Sequence, residues 1–336
     1  MTEYNYRKIL VTGGAGFIGS AFIEKIYKKF KSFSLLNIDK LTYAASNKTL
    51  DLFSPLPNYD FKEIDINDFS SLSSAVLKFN PDLVVNFAAE SHVDNSITSS
   101  KQFLDSNVLG TYNLLQIALE IIKKKETFLF HQISTDEIYG DLSENDLPFN
   151  EESMIRPSSP YSSTKAASDL LVKAWGRTYE LPFLITNCGN NFGPRQHYEK
   201  IIPKIISNYL NNKTIPLYGD GKNIRDWIYV YDHIDAIFKL HQSKITNEVF
   251  NIGASNEKSN IELASLVVDY LDKIYKKSNS NRRIKFVEDR KGHDFRYAID
   301  SKKLNKAVDW KPEVTFEKGI ELTIDWYLEN SKWWYE

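Results

Sequence analysis

Thr12-Gly13-Gly14-Ala15-Gly16-Phe17-Ile18-Gly19 is the stretch on which the fold turns. It follows a short apolar run, Ile9-Leu10-Val11, and opens a segment, 17–30, with apolar residues at helical period. Gly14, Gly16 and Gly19 satisfy a G-x-G-x-x-G spacing; Gly13, Gly16 and Gly19 satisfy G-x-x-G-x-x-G. The physical demand is the same for both: a tight strand-to-helix turn, backbone close to a pyrophosphate, and a helix packed against its strand. The helix N-terminus then offers unpaired N–H groups and the positive end of its dipole to phosphate oxygens. Alone the pattern is weak; the strand before it and the helix after it give it meaning. Asp39 ends the next apolar run, at the distance where a carboxylate accepts hydrogen bonds from ribose hydroxyls and repels a 2′-phosphate. That favours NAD over NADP. Asp65-Ile66, at the end of a further strand, is placed to flank the adenine.

Outward from the loop, short apolar runs alternate with amphipathic stretches. Leu35–Ile38, Leu83–Phe87, Thr127–Phe130 and Phe183–Thr186 read as buried strands, and 69–79, 100–124 and 161–180 as helices. Pro81-Asp82 and Leu181-Pro182 mark handovers from helix to strand. The alternation predicts an α/β fold with a doubly wound parallel sheet. Past about residue 189 the rhythm changes: strands shorten, loops such as Gly193-Pro194-Arg195 appear, and a helix at 259–277 precedes a basic loop at 290–293. The expected division is 1–188 for the dinucleotide, with a return segment near 225–252, and 189–336 as a smaller α/β substrate lobe.

The 336 residues are 42% apolar and 26% charged, which suits a globular chain rather than a disordered or fibrous one. A net charge of −2 gives no electrostatic case for binding nucleic acid or an anionic membrane. The single cysteine, Cys188, rules out a disulfide within the sequence and a cysteine-based zinc site, and fits a cytoplasmic setting. A buried, inert thiol is expected there. No signal peptide, membrane span or metal site is read. Lys123-Lys124-Lys125 and Lys276-Lys277 are expected to be solvated helix ends, and Trp333-Trp334-Tyr335 to dock on the body.

Two constellations carry the chemistry. Tyr161-Ser162-Ser163-Thr164-Lys165 follows Pro160 at a helix start, and i, i+4 spacing puts Tyr161 and Lys165 on one face. A phenol titrates near 10, so a base at neutral pH needs a neighbouring cation to favour the phenolate. His131 to Gly140 contains Ser134-Thr135-Asp136-Glu137 at a strand's carboxyl end, where open α/β sheets dock ligands. Adjacent carboxyls in different environments divide acid and base roles.

The Gly loop with Y-x-x-x-K resembles the extended short-chain dehydrogenase/reductase family, whose fold is the Rossmann type. Thr135-Asp136-Glu137 is similar to the triplet of its nucleoside-diphosphate-glucose 4,6-dehydratase branch. Further similar motifs are Ala88-Ala89-Glu90-Ser91-His92-Val93-Asp94, Asn190 to Pro194, Glu199 to Pro203, Pro216 to Gly219, Arg225-Asp226-Trp227 and Arg290 to Tyr297. The chain departs from the branch at Phe192, at Arg195 to Tyr198 and at Lys291.

The resemblance implies a lyase of deoxysugar synthesis that acts on dTDP-glucose, passing a hydride from C4 to NAD and back to C6. It implies Thr135, Asp136, Glu137, Tyr161 and Lys165 as catalytic residues. To the cofactor it adds Lys40, Leu41, Thr42, Ala88, Ala89, Ser91, Ser106 and Asn191. For the nucleotide sugar it implies His92, Thr135, Asn190, Lys200, Ile201, Pro216, Tyr218, Arg225, Asn260, Arg290, His293 and Tyr297. Arg225 also suits a diphosphate on chemical grounds, because a guanidinium grips phosphate oxygens as a fork. A homodimer through 100–124 and 161–180 is implied as well. The competing readings are a CDP- or UDP-glucose 4,6-dehydratase, a UDP-sugar 4-epimerase, and a non-catalytic NAD-binding scaffold. An epimerase needs no acid for a C6 hydroxyl, and intact Tyr161 and Lys165 speak against a scaffold.

Overall fold

The computed structural model describes residues 1–334. Seven parallel strands form the main sheet: β1 (Lys8–Thr12), β2 (Ser34–Asp39), β3 (Tyr59–Glu63), β4 (Leu83–Asn86), β5 (Leu129–Thr135), β6 (Phe183–Cys188) and β7 (Glu248–Ile252). Their order across the sheet is β7-β6-β5-β4-β1-β2-β3, reversing direction of winding at β1 and β4. Pleating sets the faces. Leu10 pairs with Leu36 and Val84, and Val84 with Phe130, in one apolar layer. Ile9, Val11, Leu35 and Val85 point into the opposite layer. Full burial of each such side chain is worth roughly 1.5–3 kcal/mol.

Helices α1 (Phe17–Lys29), α2 (Phe69–Phe79), α3 (Gly110–Ile122), α4 (Pro160–Tyr179) and α5 (Val230–Ser243) cover the two faces. α1 and α5 share one apolar layer; α2, α3 and α4 share the other. Local chemistry fixes their ends. The Asp68 side chain accepts from Ser71 N at 3.1 Å to start α2, and Asn80 stops it in a left-handed conformation (φ 54°). Pro160 occupies the first turn of α4, where its missing N–H costs nothing, behind a Ser159–Ser162 capping box.

Two expectations need correction. The strand placed at 127–130 begins at Leu129 and runs through Thr135, so Thr135 lies inside the ladder rather than after it. The stretch 100–124 is not one regular helix: Ser100–Phe103 leads into a π-turn, Leu104–Leu109, before α3. The wide turn places Asn107 where it accepts from Glu90 N and donates to Glu90 O and Thr164 Oγ1, at 2.9, 3.1 and 2.9 Å.

The later residues form a second apolar cluster around helices Ile201–Leu210, Asn260–Tyr275 and Phe316–Glu329. A three-stranded sheet joins Ile224–Tyr229 to Asn190–Phe192 in parallel and to Glu257–Ser259 antiparallel. Ile215–Tyr218 pairs with Ile284–Val287. Trp333 packs edge-to-face on Trp326, with centroids 5.3 Å apart, while Tyr335 lies outside the described residues.

Candidate active site

A cavity of about 290 Å³ opens at the carboxyl ends of the central strands. Behind its lining the strand ends carry a buried polar row. Thr12 Oγ1 donates to Asn86 Oδ1 at 2.6 Å, Asn86 Nδ2 donates to Gln132 Oε1 at 2.8 Å, and Gly14 N donates to Asn37 Oδ1 at 3.1 Å. Buried polar atoms that satisfy one another in this way hold strand ends in fixed register.

At one end of the cavity the glycine turn makes a cradle. Gly13 is left-handed (φ 73°), and a Cβ there would stand 2.6 Å from Ala88 N; at Gly19 a Cβ would stand 2.3 Å from Gly13 O. α1 starts with no side-chain cap and no acidic residue in its first turn, so its N-terminal donors and dipole face the cavity uncompensated. Asp39 is held beside it by N–H donation from Ala15 at 3.0 Å and Leu41 at 2.9 Å. Burial pushes the Asp39 carboxyl up, and those two hydrogen bonds oppose the shift. This end fits a dinucleotide: open donors for a pyrophosphate, and a fixed carboxylate for a ribose.

Gly13, Gly16, Phe17, Ile18, Gly19, Asp39, Lys40 and Thr42 border the cavity, as do Ile66, Ala88, Ala89, Ser91, Ser106, Tyr161, Lys165 and Asn191. Leu41 and Asp65 do not. Leu41 serves through its backbone on Asp39, and Asp65 stands 3.7 Å from Lys40 Nζ, which donates to Ser106 Oγ at 2.9 Å. Sequence reasoning missed Glu90, Ser134, Gln196, His197 and Glu199, which also border it. Glu90 and Glu199 were inside quoted motifs; Gln196 and His197 lie in the loop where the chain departs from its resemblance, so no pattern pointed to them.

The reactive groups gather mid-cavity. Thr135 Oγ1 accepts from Glu137 N at 3.3 Å and caps a short turn, Asp136–Tyr139, that aims both carboxyls inward. Asp136 is 2% exposed, and its Oδ2 has no hydrogen-bond partner. Burial, then the charges of Glu137 and Asp226, hold its carboxyl far above the usual range. Burial also raises Glu137, but the cations of Arg225, Lys200 and Arg290 work against it. Adjacent carboxyls thus meet different fields.

Tyr161 and Lys165 stand together in the first turns of α4. The sequence reading had Lys165 favour a Tyr161 phenolate. Here Lys165 Nζ donates to Ile133 O at 2.6 Å, and burial lowers its pKa. Burial and Glu137 keep the Tyr161 phenol well above its ordinary value, while a Thr135 hydrogen bond pulls the other way. Cys188 borders the cavity, yet its thiol donates to Ser134 O at 3.3 Å and is pushed up to about 12, chiefly by burial. It is no nucleophile at neutral pH.

The residues expected to hold a nucleotide sugar divide. Thr135, Asn190 and Lys200 border the cavity, with Lys200 Nζ donating to Ser91 O at 3.0 Å. His92 stands 3.7 Å from Glu199 and 3.9 Å from Asp94. Beyond the cavity wall, Arg290 Nε lies 2.6 Å from Asp94 Oδ1, Tyr218 donates to Asp94 Oδ2 at 3.1 Å, and His293 contacts Asp289 at 2.7 Å. Arg225 donates to the carbonyls of Ile224, Phe295 and Asp294 at 2.7, 3.2 and 3.0 Å and lies 4.3 Å over the Tyr297 ring. Tyr297 donates to the Asp294 carboxylate. Ile201 and Asn260 head their helices, and Pro216 lies in its strand; none of the three borders the cavity.

A parallel sheet with a glycine cradle, an Asp39-type carboxylate and a buried tyrosine–lysine pair defines the extended short-chain dehydrogenase/reductase class. Comparison with known proteins narrows this. The family described as GDP-mannose 4,6 dehydratase matches residues 10–323. dTDP-glucose 4,6-dehydratase 1 of Escherichia coli (strain K12) is 48% identical over 97% of this chain and 94% of its own. The solved dTDP-glucose 4,6-dehydratase DesIV of Streptomyces venezuelae, with NAD bound, is 38% identical, covers 97% of this chain and 98% of its own, and superposes with a TM-score of 0.90. That of Bacillus anthracis, in complex with NAD, is 40% identical over 98% of each chain, with a TM-score of 0.85. The chain belongs to the dTDP-glucose 4,6-dehydratase family of NAD-dependent lyases.

Proposed function

We propose that this chain converts dTDP-glucose to dTDP-4-keto-6-deoxyglucose and water, for deoxysugar synthesis. The observation that carries the reading is the Thr135-Asp136-Glu137 turn, two differently perturbed carboxyls facing Tyr161 in one cavity. NAD, which Gly13, Gly16, Gly19 and Asp39 would hold, would supply the hydride acceptor for C4 and the hydride donor for C6. Tyr161 removes the proton of the C4 hydroxyl, with the Lys165 ammonium and the Thr135 hydroxyl stabilising the phenolate. The resulting C4 ketone acidifies the C5 hydrogen. Glu137, whose surrounding cations favour its charged form, takes that proton. Asp136, kept protonated by burial, gives its proton to the departing C6 hydroxyl, which leaves as water. Glu137 then returns a proton to C5 as C6 is reduced. Each positioned acid or base is worth about 10²–10⁴-fold.

In this reading 1–188 and the segment 225–252 position the cofactor, while 189–336 mainly grips the nucleotide sugar. Lys200, Arg225 and Arg290 serve the diphosphate, with Asn190, Tyr218, Asn260, His293 and Tyr297 on the sugar or nucleoside. A homodimer belongs to the same proposal. Leu104, Leu109, Tyr112 and Leu170 are each 41–53% exposed along the outer side of the π-turn, α3 and α4, an apolar face that suits a second copy. A cytoplasmic location rests on a lone, buried thiol.

The test is isotopic. dTDP-glucose deuterated at C4 should give a product with the label in its methyl group and no net consumption of NAD. Label lost to solvent overturns internal transfer; turnover of UDP- or CDP-glucose in preference to dTDP-glucose overturns the nucleotide assignment.

A further inference from the structure

Asp169 sits on the face of α4 that carries the catalytic pair. It lies one helical turn beyond Lys165 and is 1% exposed. Its Oδ2 accepts from Ser134 Oγ at 2.5 Å, and Ser134 itself borders the active-site cavity. Its Oδ1 is buried without a hydrogen-bond partner, and the same holds for Asn187 Oδ1. Both residues border a separate cavity of about 30 Å³ with Tyr139, Glu151 and Lys173. Two orphaned acceptors around a water-sized space are satisfied by one molecule that donates to both. From Asn187 the network continues outward. Asn187 Nδ2 donates to Tyr139 Oη at 2.8 Å, Tyr139 donates to Asn251 Oδ1 at 2.9 Å, and Asn251 N donates to Glu151 Oε1 at 2.8 Å.

We infer that Asp169 is a positioning residue for the oxidation step: fixed by Ser134 and one helical turn from Lys165, its carboxylate holds the Lys165 ammonium charged, and a water seated between Asp169 and Asn187 completes its hydrogen bonding. The inference rests on the oxidation role given above to Tyr161 and Lys165. Lys165 is buried, which disfavours its charge, and Asp169 is the largest influence opposing that loss. The charged groups facing Asp169 are Lys165 and Lys173 on its own helix; Tyr139 and Glu151 approach from the short turn and loop opposite. Burial pushes Asp169 up to about 6, with Lys165, the Ser134 hydrogen bond and Lys173 holding it down. The carboxylate form is therefore lost as pH falls through that value, and with it the negative charge that supports the Lys165 ammonium.

The experiment is the pH profile of kcat on dTDP-glucose for the holoenzyme, followed through keto-sugar release, with KM measured alongside. Asp169→Asn should lower kcat about tenfold near neutrality, as expected for a shift of one pKa unit in the groups it supports. It should also flatten the acid limb while leaving KM within about twofold. Asp169→Glu should restore an acid limb. Lys173→Gln, at a half-exposed site, should fold normally and move the limb to higher pH, because the charge that lowers Asp169 is gone. A limb unchanged in Lys173→Gln, or retained in a folded Asp169→Asn, overturns the inference. Wild-type enzyme that makes no keto-sugar overturns the proposed function itself, so the two failures are distinguishable.

Discussion

The two ends of the active site solve opposite electrostatic problems. At the glycine cradle the donors are open: α1 begins without a cap or a first-turn carboxylate, and Asp39 is fixed by backbone N–H groups rather than by a cation. At the nucleotide-sugar end the cations already have partners: Arg290 on Asp94, Arg225 on three carbonyls, Lys200 on Ser91 O. A ligand entering the first end meets a preformed socket. In the proposed function, a diphosphate entering the second exchanges partners, taking Arg290 from Asp94. The difference suits a cofactor that stays through many turnovers and a substrate that leaves after each one.

The comparison is broken or sharpened by substitution. Where the two ends meet, Tyr161→Phe should cut turnover on the order of 10²–10⁴-fold, with no reduced nicotinamide appearing in a single-turnover absorbance trace. Asp136→Asn should lower turnover comparably yet let the reduced nicotinamide build up; equal traces for both variants would remove the division of labour between them. At the cradle, Gly19→Ala puts a methyl 2.3 Å from Gly13 O, so the loop must shift. NAD affinity, read by titration of the apoprotein, should fall about tenfold or more, equivalent to roughly 1.4 kcal/mol per decade. Unchanged affinity would deny that the socket is preformed. At the other end, Arg290→Gln should raise KM about tenfold with kcat little altered. Asp94→Asn should do the reverse and less: a partly exposed ion pair is worth about 0.2–1 kcal/mol, so KM should fall by about fivefold at most. If Asp94→Asn raises KM, Asp94 aims Arg290 rather than competing for it.

The same contrast explains what was legible in the sequence. The cradle is written in consecutive residues: a strand, a glycine turn and a helix, with Asp39 ending the next strand, so spacing in that local context pointed to it. α2 was equally readable, because 69–79 carries apolar residues at helical period and Pro81-Asp82 follows it. The sugar end is assembled from distant pairs such as Arg225 over Tyr297 and Arg290 on Asp94, and no local period encodes those. Resemblance named the residues there, but not that their charges are already engaged. β5 was placed too early because Phe128 extends the apolar run backward, whereas the ladder runs on through the polar residues His131, Gln132 and Ser134 to Thr135. Spacing set Lys165 on the face of Tyr161, but that its ammonium rests on the Ile133 carbonyl depends on a residue of the neighbouring strand and was not legible.

The wide turn at Leu104–Leu109 has a consequence for how this chain can change over time. Wrapping one extra residue into a helical turn rotates everything after it by about 100° relative to an unbroken helix. Ser106 and Asn107 look toward the cofactor side, while Leu104 and Leu109 look outward. Side-chain exchanges along this stretch alter one flank at a time and leave the other in place. Losing a single residue would re-phase the whole of α3, swinging its inner and outer flanks together. The segment should therefore drift freely in composition and hardly at all in length.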